Sequence, residues 1–199
     1  MNSLFLLSVR RHVALSVAVL FMTLATVSRA QEAQWIWSPE HQKGSVPLGA
    51  CHFRKQAVVA VPVSGEITIT ADDDYDLYVN GRRVASGKSG GKPQKHDLTE
   101  FLSRGQNLVA VKVTNAQGST AGLAARIRIK DETRGWVSFT TDATWLTSLH
   151  PLPFWYTSLY NDSRWAEAKS FGSLKEAAPK NPKKEAAVAQ SEKLSLIHI

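Results

Sequence analysis

The chain has 199 residues and a single cysteine, Cys51. A lone thiol cannot close an internal disulfide, so packing has to hold whatever folds here. There is no Cys-x-x-Cys-His haem attachment sequence and no Cys/His spacing suited to zinc. Beyond residue 30 no apolar run is long enough to cross a bilayer, and no amphipathic pattern exceeds three helical turns. A concentrated excess of basic charge is also missing. The formal net charge is +7, but three of the positive charges, Arg10, Arg11 and Arg29, precede residue 31. From Glu32 to Lys169 there are 16 Lys/Arg against 14 Asp/Glu, scattered along the chain. A near-neutral, unclustered distribution excludes nucleic acid as a natural partner.

The first 30 residues have the layout of an export signal. Arg10 and Arg11 supply the positive region, "HVALSVAVLFMTLATV" (12–27) the apolar core, and Ser28-Arg29-Ala30 the small residues before cleavage at Gln31. The alternative is an uncleaved N-terminal anchor. With cleavage, the mature chain is expected outside the cytoplasm, periplasmic or extracellular, with no membrane contact. Residues 31–172 are then the folded part, of a size that suits one domain. From 173 to 193 the composition turns to Lys, Glu, Ala and Pro, with five lysines against three glutamates between Lys175 and Lys193, which reads as a linker. The closing "LSLIHI" (194–199) is an apolar hexapeptide on a polar linker. Back-translated as CTG TCT CTT ATA CAC ATC, it matches a transposon end used in sequencing-library adapters. An adapter-encoded end to a truncated chain is the expectation, with a genuine terminus as the alternative.

Between these ends the pattern is β. "GEITITA" alternates cleanly, with Ile67 and Ile69 on one face. In "DLYVNGRRVAS", Leu77 and Val79 lead into Asn80-Gly81, a strong two-residue hairpin signal. "GKSGGKPQKH" reads as a Gly/Lys/Pro loop, and "HDLTEFLSRGQN" as a short turn of helix capped by Asp97 or Thr99 and stopped by Gly105. "NLVAVKVTNA" predicts a strand with Leu108, Ala110 and one valine inward. "AGLAARIRIKD" predicts Ile127 and Ile129 inward, with Arg126, Arg128 and Lys130 outward. Many short strands separated by turn signals predict an all-β sandwich.

Four features line up in order: "AQWIWSPEH", then "ADDDYDLYVNGRRV", then "HDLTEFLSRGQNLVAVKVTN", then two Trp-bearing turns, "DATWLTS" and "NDSRWAEA". This succession resembles the galactose-binding-like jelly-roll domain that serves as the sugar-binding domain of β-galactosidase-type glycoside hydrolases and as the N-terminal domain of α-L-rhamnosidases. The resemblance covers roughly residues 33–172. It implies a jelly-roll β-sandwich and a non-catalytic module with a polysaccharide or glycan ligand, packed beside a downstream domain of the same chain. One departure stands out. Such sequences usually carry an aromatic in the loop after the hairpin, and Gly87–His96 has none.

The run Asp72-Asp73-Asp74 poses the chemical question. Calcium wants six to eight oxygens, commonly from alternating residues around a glycine turn, and these three are consecutive. A calcium site borrowing backbone carbonyls stays open. A hydrolytic carboxylate pair must sit ~5–10 Å apart across a sugar pocket, and no partner acid is marked out. The favoured reading is structural: aspartates that end one strand and set the approach to the hairpin. No catalytic residue and no metal ligand set is expected, and no cofactor beyond that calcium alternative. Asp142 and Asp162 are expected to cap turns seating Trp145 and Trp165. The histidines show no ligand spacing. "PLPFWYTSLY" is either a sugar platform or a strap closing the sandwich. The candidate carbohydrate contacts are Trp155, Tyr156 and Tyr160 in that segment, with Asp73 and Tyr75 at the hairpin. The functional expectation is an ancillary carbohydrate-binding module of an exported multidomain bacterial protein. The alternatives are a structural spacer packing on a downstream domain and the N-terminal fragment of a glycoside hydrolase.

Overall fold

The computed structural model of the protein describes residues 32–88 and 92–174. The export signal, the segment from 175 onward and its closing hexapeptide lie outside the described residues. Among the described residues there are twelve strands: β1 (Gln34–Trp37), β2 (Gly49–Val59), β3 (Pro62–Asp72), β4 (Asp74–Val79), β5 (Arg82–Lys88), β6 (Gln94–Asp97), β7 (Gly105–Asn115), β8 (Gly122–Asp131), β9 (Gly135–Thr140), β10 (Leu146–Ser148), β11 (Ala166–Glu167) and β12 (Lys169–Ser173). They form two sheets. One has the order β12-β1-β8-β3-β6, with β9 also paired to β8; the other runs β11-β10-β2-β7-β4-β5. The pairings are antiparallel, and most consecutive strands cross between the sheets, the exceptions being the β4–β5, β8–β9 and β10–β11 pairs, giving a jelly-roll sandwich.

Period-two patterning builds the shared core. Ile67 and Ile69 of β3 and Ile127 and Ile129 of β8 face Leu77 and Val79 of β4, while Arg126, Arg128 and Lys130 point out, as the sequence predicts. Trp37, Phe53 and Trp145 fill the interior, and the Trp145 indole N–H donates to the Thr140 carbonyl at 2.9 Å. Each such apolar side chain contributes roughly 1.5–3 kcal/mol by burial. The "NG" hairpin forms as expected. Asn80 (φ 52°) and Gly81 (φ 82°) both adopt positive φ, the combination a type I′ turn requires. The tip of that hairpin is tied to the third sequence motif, "HDLTEFLSRGQNLVAVKVTN". The Asn80 side chain donates to Asn107 Oδ1 (2.9 Å) and to the Phe101 carbonyl (2.9 Å), and accepts from Leu108 N–H (2.8 Å). The capped turn is a 3-10 turn at Thr99–Phe101, with Asp97 Oδ1 accepting from Thr99 N–H at 2.8 Å.

Two expectations need correcting. On β7 the faces are reversed: Val109, Val111 and Val113 point into the core, while Leu108 and Ala110 lie on the outer face, buried there by a later segment. The presumed loop at 87–96 is also shorter than expected, because β5 extends to Lys88 and β6 begins at Gln94, pairing with Ile69 of β3.

Candidate functional site

The three aspartates sit where β3 leaves one sheet and β4 joins the other. β3 ends at Asp72 and β4 begins at Asp74, so their position is the one read from the sequence. Their bonding is not local, however. Asp73 Oδ2 accepts from the backbone N–H groups of Ala116 and Gln117, both at 2.8 Å, and Asp72 Oδ2 accepts from the Thr120 hydroxyl at 3.0 Å. Both side chains are buried. They therefore pin the crossover to the loop between β7 and β8.

A third polar group belongs to this corner. Asn115, the last residue of β7, is buried, and its amide nitrogen donates to the carbonyls of Val46 (3.1 Å) and Pro47 (3.0 Å). Those donations fix which end of the amide is oxygen. Asn115 Oδ1 then has no hydrogen-bond partner, although it is shielded from solvent. A buried acceptor without a donor is costly. Asp72, Asp73 and Asn115 thus bring oxygen ligands of the hard type together around residues 115–120. Among the described residues no group of three or more His, Cys, Asp or Glu side chains could hold a metal ion; the corner pairs two carboxylates with an amide oxygen and lies outside that description. Beside it opens a cleft of about 340 Å³ bordered by Asp74, Tyr75, Asp76, Lys88 and Thr114.

The predicted sugar contacts fall into separate places. Asp73 is in the corner. Tyr75 is buried in the sandwich, where its hydroxyl donates to Gln94 Oε1 at 2.7 Å and lies 2.6 Å from His96 Nε2, joining β4 to β6. Burial raises the Tyr75 pKa and lowers that of His96.

Trp155, Tyr156 and Tyr160 come together, in a strap laid over the outer face of the second sheet. Trp155 is only 9% exposed and rests on Leu108 and Ala110. It meets His52 edge-on at 4.7 Å and lies nearly parallel to Trp165 at 6.4 Å, while Tyr156 stacks on Tyr78 at 4.7 Å. Burial drives the His52 pKa down to about 4.

The strap is fastened by Arg54 of β2, which is 1% exposed. Its Nε donates to Asp162 Oδ2 at 2.7 Å, and Nη1 donates to the carbonyls of Thr157 (3.0 Å) and Trp155. The guanidinium also lies over the rings of Tyr160 and Trp165. Asp142 caps its turn as expected, accepting from Thr144 N–H at 2.8 Å. The Asp162 carboxylate goes to Arg54 instead. Trp165 packs in the outer cluster, not in the core. Sequence reasoning missed Arg54, Asn115 and the exposed Trp136 of β9, none of which carries a local signal.

The fold is an antiparallel jelly-roll sandwich. Residues 56–150 match the family described as "Glycosyl hydrolases family 2, sugar binding domain". Over 146 residues the chain is 27% identical to an α-L-rhamnosidase of Streptomyces avermitilis, covering 69% of this chain and 14% of that protein. The crystal structure of a Streptomyces avermitilis α-L-rhamnosidase complexed with L-rhamnose superposes with a TM-score of 0.68 at 26% identity, over 75% of this chain and 15% of the other. A lectin from Pleurotus ostreatus in complex with GalNAc gives a TM-score of 0.67 at 27% identity, over 78% of this chain and 49% of the lectin. The domain is thus a galactose-binding-like jelly roll similar to the sugar-binding domains of glycoside hydrolases and to a fungal lectin, as the sequence motifs implied. It spans about one seventh of the Streptomyces avermitilis α-L-rhamnosidase it matches.

Proposed function

We propose that this chain is a non-catalytic carbohydrate-binding module of an exported multidomain protein, and that it holds its sugar at the Asp72–Asp73 corner with the help of a calcium ion. The observation that carries this reading is Asn115 Oδ1, a buried acceptor without a donor, gathered with two buried carboxylates on the 115–120 loop. A hard divalent cation would satisfy that oxygen, and carboxylate oxygens are ligands that such a cation favours. Asp72, Asp73 and Asn115 would supply side-chain oxygens, with backbone carbonyls completing the set. Calcium bound there would supply open coordination for sugar hydroxyls. The cleft beside Asp74 and Thr114 gives a pyranose room next to the ion. The likeness to a lectin crystallised with GalNAc and to a rhamnosidase crystallised with L-rhamnose supports a small neutral sugar as ligand.

The strap has a different role in this reading. Leu152, Phe154 and Leu159 project from it, Leu159 being 96% exposed, which suits docking onto a downstream domain of the same protein. Any glycoside hydrolase activity would belong to that neighbour.

Calcium alone tests the metal. Titrated into the full-length chain, it should raise the melting temperature by about 5–10 °C at saturation. Asp73→Asn keeps an acceptor for Ala116 and Gln117 but removes the charge, and should abolish the rise. No shift up to about 5 mM calcium, the weak end for extracellular modules, would overturn the metal reading.

A further inference from the structure

The outer face of the first sheet carries a second arrangement that the corner does not explain. The outward residues of β8 are Arg126, Arg128 and Lys130, all exposed. Side chains two apart on a strand share a face and rise ~6.5–7 Å per step, so the three cations make a ridge about 13 Å long. Register sets their neighbours. Thr68 lies across from Arg126, Glu66 and Ser138 flank Arg128, and Ser64 and Trp136 flank Lys130.

Trp136 is 50% exposed, an unusual state for an indole on a sheet face. The Arg128 guanidinium lies 4.5 Å from its ring centroid, steadying the indole. Arg128 also reaches Glu66 Oε1 at 3.5 Å, and Lys95 of β6 pairs with Glu66 Oε2 at 2.7 Å. A cleft of about 450 Å³ runs beside the indole, lined by Ser64, Glu66, Lys95, Asp97, Thr99 and Trp136. Glu66 is already shared between two cations, and Asp97 is engaged by Thr99. Glu32 lies in the cleft beside Arg126, but the four cations Arg126, Arg128, Lys130 and Lys95 outnumber Glu66, Asp97 and Glu32, so the face keeps a positive balance.

We infer that this face is a second glycan-binding site, independent of calcium, and that it takes an anionic polysaccharide. A pyranose ring would lie against the open part of the Trp136 indole. Its carboxylate or sulfate would meet the ridge of Arg126, Arg128 and Lys130, with the hydroxyls of Ser64 and Thr68 as further hydrogen-bonding partners. An indole beside a row of cations matches an acidic sugar better than a neutral one, because the apolar ring face and the oxyanion are both complemented. The spacing of the ridge suits successive residues of a chain, not an isolated monosaccharide.

Affinity electrophoresis of the full-length chain tests this, using gels containing polygalacturonate, chondroitin sulfate or dextran, each run with EDTA. Retardation is expected on one or both acidic polymers and not on dextran; comparing the two separates carboxylate from sulfate recognition. Trp136→Ala should weaken the effect about tenfold, and Arg126→Ser with Lys130→Ser at least as much. Asp73→Asn should leave it unchanged, so failure here and failure of the calcium corner are told apart. Because Trp136 is half exposed, its replacement should leave the melting temperature near that of the parent, and that control is read alongside. Absence of retardation on both acidic gels would overturn the proposal. So would equal retardation on dextran, or full retardation of the Trp136→Ala protein, which would mean diffuse attraction to lysines elsewhere in the chain.

Discussion

Replacing Arg54 with methionine removes the fastening of the aromatic strap while keeping a side chain of similar length. Three donated hydrogen bonds disappear, one to the Asp162 carboxylate and two to the carbonyls of Trp155 and Thr157. Breaking a buried pair by deleting one partner costs about 3–5 kcal/mol, chiefly because the remaining group is stranded. Asp162 keeps 22% exposure and can regain water, so the low end applies, about 3 kcal/mol. With a urea dependence of about 1.5 kcal/mol/M for a domain of this size, the unfolding midpoint should fall by about 2 M. The assay is urea unfolding of the purified chain followed by tryptophan fluorescence. Trp155 and Trp165 belong to the strap cluster, so the native spectrum of the variant should also shift to the red. Arg54→Lys should not rescue, because an ammonium cannot reach a carboxylate and two carbonyls in one plane. A midpoint within about 0.5 M of the parent, with an unshifted spectrum, would refute the idea that Arg54 fastens the strap.

Two further outcomes follow from packing and titration. His52 has its pKa lowered to about 4 in the folded protein against 6.5 when exposed. The unfolded chain then binds the proton more tightly, so this contribution to stability is full above pH 6.5 and is lost as pH falls toward 4. With allowance for solvent screening, the loss between pH 7.5 and pH 5 is about 1–2 kcal/mol. Denaturation at the two pH values should show it in the parent and not in His52→Leu, and identical pH slopes would contradict it. At Gly122, an added Cβ would lie 2.7 Å from Trp35 Cε3. Gly122→Ala should therefore cost about 1–3 kcal/mol by overpacking, lowering the melting temperature by several degrees, and an unchanged melting temperature would show that Trp35 yields freely.

The parts legible in the sequence are those written in consecutive residues. Alternation gave β8 its inward face and put Ile67 and Ile69 of β3 on one face, while the face of β4 that meets the core was left open; Asn80-Gly81 gave the hairpin, because a type I′ turn demands those residue types. Even the coupling between motifs has a local trace, since the asparagines of "YVNG" and "GQN" turn out to bond each other. On β7 the alternation failed for a physical reason: Leu108 through Val111 are all buried, because the core covers one face and the strap the other. Burial on both faces erases the period of two that would tell them apart. Arg54 sits in "CHFRKQ" looking like any outward cation, and its partner Asp162 lies 108 residues away. The acidic corner was half readable. Its position at the crossover could be read, whereas its binding to Ala116, Gln117 and Thr120 and the stranded oxygen of Asn115 exist only once β3 and β7 are brought together. Trp136 carries no signal in "GWVSFTTD", since exposure is decided by what covers it.

The measurement that bears most directly on sugar binding at the acidic corner is a neutral-glycan array probed with the labelled full-length chain in calcium and in EDTA, beside the Asp73→Asn protein. The account predicts retention on at least one neutral glycan in calcium, with that signal lost in EDTA and in the variant. Retention that survives both, or no neutral glycan retained under any condition, would contradict it.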